Sequence, residues 1–173
     1  MTAKELESIS RRAQREHVSF TRHLLVDGSN VLQAWPDLRA QAKRDRDTAR
    51  ASLVRRLAAI HDVEQVRVTI VFDGRGPDLS VERPLQHLTF SVIHTPASLS
   101  ADDVIEQLVG KAGDASQCFV ATDDLAERQT ISAAGASALH AADLAAWAKR
   151  ADARQAAAIA AIRAATGQQW TQS

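Results

Sequence analysis

His23-Leu24-Leu25-Val26-Asp27-Gly28 and Val66-Arg67-Val68-Thr69-Ile70-Val71-Phe72-Asp73-Gly74 decide the fold. Each is a largely apolar run that stops at Asp-Gly. Short runs of this kind, bounded by turn residues, fit strands buried on both faces, as in a parallel sheet. Three further runs resemble them. Leu88 to Ile93 leads into His94-Thr95-Pro96, and Gln117 to Ala121 leads into Thr122-Asp123-Asp124. Ala136 to Leu139, after Gly135, is the weakest.

Helical patterns separate most of these runs. Residues 45–60 carry Ala49, Leu53, Leu57 and Ile60 on one face, and 101–109 carry Val104, Ile105 and Leu108. Residues 125–134 form a shorter helix. The stretch 141–165 is rich in alanine, the strongest helix former. Strands alternating with helices imply an α/β domain whose parallel strands are joined by crossovers. Residues 72–88 hold two glycines and two prolines without helical periodicity, and read as a long loop of the sort that often carries function. Residues 2–17 place Leu6, Ile9 and Ala13 at helical spacing in a highly charged segment. The expected organisation is an N-terminal helical extension over 1–20, one domain over 21–165 and a tail over 166–173.

The totals agree with a single core. The chain has 173 residues, 45% of them hydrophobic, which suits one globular domain. Lys+Arg and Asp+Glu both number 21, so no strongly basic nucleic-acid binder is indicated, although local basic patches are compatible. Cys118 is the only cysteine; it allows no intrachain disulfide and no cysteine-built zinc cage, and beside Phe119 and Val120 it reads as a buried thiol. No apolar run approaches the length needed to span a bilayer, and residues 1–8 do not look like a secretory signal, so a cytoplasmic setting is expected.

In open α/β sheets, ligands bind beyond the carboxyl ends of the strands. Here those ends carry Asp27, Asp73 and Asp123-Asp124, while Ser100-Ala101-Asp102-Asp103 opens the helix after the third strand. Each acid alone has an ordinary explanation: Asp102 or Ser100, and Asp123 or Asp124, as helix caps, and the two Asp-Gly pairs as turns. Together, carboxylates from four segments on one rim repel unless a cation offsets them, and hard divalent ions prefer such oxygen ligands. Asn30 stands three residues after Asp27, placed to fix a carboxylate, bind a phosphate oxygen or cap the next helix. Glu106 stands four after Asp102 on the same helix face, either as a supporting carboxylate or as a solvated side chain.

Other chemistries fit poorly. The chain has no Walker phosphate loop, no GxGxxG and no HExxH spacing among its 6 histidines. Asp27-Gly28-Ser29-Asn30 is not a nucleophile elbow. A phosphatase using Asp27 as nucleophile, in the haloacid-dehalogenase manner, would want a second aspartate at position 29, where Ser29 stands.

Leu24-Leu-Val-Asp27-Gly28-Ser29-Asn30-Val31 followed by Trp35-Pro36-Asp37-Leu38 resembles the opening of bacterial NYN-domain proteins of the YacP type, with Ser29 where tyrosine is usual. The resemblance continues through Val71-Phe72-Asp73-Gly74, Ser100-Ala101-Asp102-Asp103-Val104-Ile105-Glu106 and Val120-Ala121-Thr122-Asp123-Asp124, where Asp123 replaces the usual serine. It covers roughly residues 24–144.

NYN domains belong to the PIN-like nucleases. The resemblance therefore implies a three-layer sandwich with a central, mostly parallel sheet and helices on both faces. It also implies a metal-dependent RNA endonuclease, with one YacP-type branch linked to cleavage of mRNA on ribosomes. Carried over by position, the catalytic and metal-site candidates are Asp27, Asp102 and Asp124. Asp73 and Asp123 stand as further metal candidates, Asn30 and Glu106 support, and Mg²⁺ or Mn²⁺ is the implied cofactor. For holding RNA, Arg39, Lys43, Arg44, Arg46 and Arg50 form the densest basic cluster, at the start of the helix after the first strand. Arg39, Lys43, Arg44 and Arg75 are the expected phosphate contacts, while Arg46 and Arg50, interleaved with Asp45 and Asp47, read as a solvated face. Trp35 reads as a core anchor or a base-stacking ring. The competing class is an RNA- or ribosome-binding module with little or no cleavage.

Overall fold

The computed structural model describes residues 20–171. The N-terminal helix expected over 2–17 lies outside them. Among the described residues there are six strands, β1 (His23–Asp27), β2 (Arg67–Phe72), β3 (Ser80–Glu82), β4 (Phe90–His94), β5 (Cys118–Ala121) and β6 (Ser137–Leu139). They form one sheet in the order β3-β4-β2-β1-β5-β6. All pairs are parallel except β3 with β4.

The reading of buried strands holds. In β1, Leu24 and Val26 face one core and Leu25 the other; in β2, Val68, Ile70 and Phe72 face the first core and Val71 the second. Period-two alternation thus places apolar side chains on both faces, each fully buried one contributing about 1.5–3 kcal/mol relative to exposure. The first core is closed by α1 (Gly28–Ala34), α2 (Pro36–Arg44), α3 (Arg46–Glu64) and α6 (Ala141–Thr171), through residues such as Leu32, Leu38, Leu57 and Leu144. The second lies under α4 (Ala101–Gly110) and α5 (Leu125–Ala133), through Ile105, Val109 and Ile131. Helices therefore cover both faces, as a three-layer sandwich requires.

Three features differ from expectation. The chain between β1 and β2 holds three helices rather than one beginning near residue 45. Pro36 drives the preceding Trp35 into an extended conformation, which ends α1, while Pro36 itself starts α2. Trp35 is buried, and its indole N–H donates to Ala141 O at 2.8 Å, so it is a core anchor. The expected loop 72–88 contains β3, which pairs antiparallel at the sheet edge with Ser80 opposite His94. Its residues are all exposed, so no burial pattern announced it. Finally, α6 runs on to Thr171, past the expected helix end near 165.

Register sets up the site. Asp27 pairs with Val71 across β1–β2, Val26 with Ala121 across β1–β5, and Phe72 with His94 across β2–β4. The carboxyl ends of the central strands therefore finish level, and the residues that follow them meet on one rim. Among the described residues no helix is long and apolar enough to cross a membrane.

Candidate metal centre

Asp27 is both the last residue of β1 and the N-cap of α1, its Oδ1 accepting from the Asn30 backbone N–H at 3.0 Å. The turn is possible because of Gly28. A Cβ there would lie 2.5 Å from the ring of the buried Phe72, so the ring or the backbone would have to shift. The Asp27-Gly28 pair is thus a close-approach motif, in which α1 starts directly against β2. Gly74 is similar: a Cβ would lie 2.0 Å from Thr95 O.

At the start of α4, the capping box is made by Ser100 and Asp103. Ser100 Oγ accepts from Asp103 N–H at 3.1 Å, and Asp103 Oδ2 accepts from Ser100 N–H at 2.9 Å. Asp102 is not needed for the cap, and its half-buried side chain joins Asp27. Asp73, just past β2, accepts from Ala101 N–H at 2.9 Å and donates its own N–H to Ser29 Oγ at 3.2 Å, tying the strand end to both neighbouring helix starts.

The two adjacent aspartates after β5 divide their tasks. Asp124 caps α5 by accepting from Glu127 N–H at 2.9 Å, and faces the acidic cavity. Asp123 turns to α6, where Oδ1 accepts from Ala141 N–H at 2.9 Å and meets His140 Nδ1 at 3.2 Å. Its backbone N–H donates to Asn30 Oδ1 at 3.0 Å, linking α1 to the end of β5. Asp27, Asn30, Asp73, Asp102 and Asp124 line one cavity of about 330 Å³.

The tightest group is Asp27, Asp102 and Glu127, each of which offers an oxygen within 4.8 Å of the others. Glu127 had no place in the sequence reading. Its only signal is the spacing Asp124-Leu-Ala-Glu127, which marks a helix start whose acid at the third helical position normally faces solvent. Here it is 2% exposed, and among the described residues neither carboxylate oxygen meets a donor in good hydrogen-bond geometry, the Thr122 hydroxyl being the polar neighbour that bears on it. Burial lifts its pKa to about 8, the Thr122 hydroxyl opposing and the charges of Asp27 and Asp102 adding. Burial likewise raises Asp27 to about 7, against the Asn30 N–H and with the carboxylates of Asp102 and Asp73 adding.

A buried, unpartnered carboxyl is costly and is satisfied by a proton or a cation. Three oxygen donors converging in this way suit a hard divalent ion, so the residues fit one. Glu106 is placed elsewhere: it is exposed on α4 and lines no part of the cavity. Arg39, Lys43 and Arg44 are exposed along α2 and do not line it either. Arg75 lines a neighbouring cavity that shares Asp73 with it.

Fold and site together define an NYN-type α/β domain with an acidic cluster at the strand ends. The chain belongs to the YacP-like NYN domain family, which matches residues 24–172. It is similar to the uncharacterized protein YacP of Bacillus subtilis (strain 168), 33% identical over 114 residues, which span 65% of this chain and 66% of that relative, just under two thirds of its length. Among solved structures it is similar to Rae1 (YacP) from Bacillus subtilis, 29% identical with a TM-score of 0.70, covering 84% of this chain and 83% of that one. A mutant of the same protein matches at 29% identity and a TM-score of 0.67, over 82% of each chain.

Proposed function

We propose that this protein is a metal-dependent endoribonuclease that hydrolyses RNA phosphodiester bonds in the cytoplasm, with mRNA on translating ribosomes as its substrate. The observation that carries the reading is the convergence of Asp27, Asp102 and Glu127, in which the buried Glu127 oxygens lack partners within the described chain. Family membership supports nuclease chemistry at this position. The chain's net charge of +0 favours a partner that presents the RNA over strong capture of free RNA.

Asp27, Asp102 and Glu127 would hold Mg²⁺ or Mn²⁺, with Asp124 at the border of the group and Asp73 and Asp123 bracing the surrounding helix starts. Bound there, the cation supplies Lewis-acid stabilisation of the phosphodiester and lowers the pKa of an attacking water. The chain's own work is positional. The rim fixes the carboxylates through the caps of α1, α4 and α5, so little reorganisation is required on binding. Asn30 spends its carbonyl oxygen on Asp123 and keeps its amino group for a phosphate oxygen. The protons that Asp27 and Glu127 retain near neutrality leave as the cation enters. Arg39, Lys43, Arg44 and Arg75 supply the cationic surface that meets the RNA backbone.

The test is incubation of wild type and Asp27→Asn with labelled single-stranded RNA, and separately with translating ribosomes, in Mn²⁺, Mg²⁺ or EDTA. Internal cuts that need metal and vanish in the variant are expected, with ribosome-bound mRNA cut better than naked RNA. A folded wild type that cuts under no condition would overturn the nuclease reading in favour of an RNA- or ribosome-binding module. Efficient cutting of naked RNA at physiological salt would overturn the ribosome part alone.

A further inference from the structure

Beside the acidic cavity, and sharing Asp73 with it, lies a larger cleft of about 770 Å³ between the start of α3 and the loop after β2. Arg46, Arg50 and Arg75 line it. Arg46 and Arg50 stand one turn apart on the same face of α3. Arg50 is held in place: its guanidinium lies 5.1 Å from the centroid of the Phe72 ring, its Nε is buried without a partner, and Asp47 sits 3.5 Å from its terminal nitrogen. Arg46 and Arg75 are exposed, and among the described residues neither has an acidic partner.

The opposite wall is fixed backbone. Gly74 N–H donates to Thr95 Oγ1 at 3.2 Å, and Ala97 N–H donates to Gly76 O at 2.9 Å, so the segment carrying Arg75 is pinned along the exit of β4. Two acids also border the cleft, Asp73 and Asp78. Asp73 directs Oδ1 to the Ala101 N–H at the start of α4, and Asp78 is exposed. The cleft therefore offers two unpaired guanidinium groups and a third on a rigid aromatic seat, next to the carboxylates.

We infer that this cleft holds the phosphodiester backbone of single-stranded RNA on one side of the scissile bond, Arg46 and Arg75 contacting phosphate oxygens and Arg50 flanking them. Guanidinium is the group suited to bidentate phosphate contact. The inference rests on the nuclease reading for its substrate, and adds Arg46 and Arg50 of α3 to Arg75 as one built cleft beside the carboxylates.

The experiment measures binding of the full chain to a fluorescently labelled single-stranded RNA by anisotropy, in EDTA, over a salt series that starts low. EDTA separates binding from cleavage. Arg46→Ala/Arg75→Ala is expected to weaken binding about tenfold at low salt. The same variant should flatten the plot of log affinity against log salt by about 1.4, because each phosphate left without its guanidinium removes about 0.7 from the slope. Arg46→Lys/Arg75→Lys, which keeps the charges, should retain most of the slope. Arg55→Ala/Lys149→Ala, a basic pair lining a separate groove with Trp35, should bind as wild type. An unchanged slope in the first variant, an equal loss in the groove variant, or no binding by wild type at the lowest salt would each overturn the inference. Loss of binding in the cleft variant, with no cleavage by wild type under any condition, would sustain the cleft and sink the nuclease reading. Normal binding by the cleft variant, with metal-dependent cleavage by wild type, would do the reverse.

Discussion

Replacing Glu127 with glutamine removes one ionisable group from the rim while nearly keeping its shape. The carboxyl is 2% exposed, and its pKa rises from 4.5 to about 8. A carboxyl whose folded pKa exceeds its unfolded value keeps its proton in the native state after the unfolded chain has lost its own. Stability therefore falls as pH rises from the unfolded value to the folded one and levels off above it. At about 1.4 kcal/mol for each pH unit, the displacement of Glu127 bounds this loss at about 5 kcal/mol. Relaxation and water entry reduce such costs, so we expect wild type in EDTA to lose about 2–4 kcal/mol more between pH 5 and pH 8 than Glu127→Gln does. At pH 5 the order reverses, because a buried amide without partners costs about 1–3 kcal/mol. Urea unfolding in EDTA at several pH values reads this directly. Parallel pH profiles for the two proteins, or wild-type stability that rises with pH over this range, would refute the reasoning.

The remaining expectations use the same rim. Mn²⁺ affinity of wild type, measured by calorimetry, should rise steeply from pH 6 to pH 8 as Asp27 and Glu127 give up protons, and a flat profile would contradict the raised values. Gly28→Ala should cost about 1–3 kcal/mol in urea unfolding through the clash with the Phe72 ring, and lower cleavage by shifting Asp27; wild-type stability would show that the ring can yield. Asp123→Ala and Asp124→Ala should each cost about 1 kcal/mol as lost helix caps, but only Asp124→Ala should weaken Mn²⁺ binding. Equal metal affinities in the two variants would count against that division.

The strands that place the site were legible because they are buried on both faces, so an unbroken apolar run such as Leu24-Leu25-Val26 had one sensible reading. The convergence of Asp27, Asp73, Asp102 and Asp124 followed from the rule that parallel strands finish at one edge, and the family resemblance agreed with it. The misses have local physical causes. α1 and α2 are short, and Trp35-Pro36 divides them, so neither shows a sustained 3.6-residue pattern. β3 is three exposed residues whose identity as a strand comes entirely from pairing with β4. Glu127 looked like an ordinary acid of a first helical turn; its burial comes from where α5 sits on the sheet rim, which no neighbour in sequence encodes. The adjacent pair Asp123 and Asp124 stayed ambiguous for the same reason. Only the positions of α5 and α6 decide which carboxylate caps which helix. Arg46 and Arg50 alternate with acids along the chain, yet the helix turns them together into the cleft.

The most direct test of the central claim is anomalous X-ray scattering from crystals of the wild type soaked in Mn²⁺. The account predicts a peak enclosed by Asp27, Asp102 and Glu127, absent from crystals of Glu127→Gln at the same Mn²⁺ concentration. A peak seated instead on Asp123 or at the arginine cleft, or no peak at the rim at saturating Mn²⁺, would contradict it.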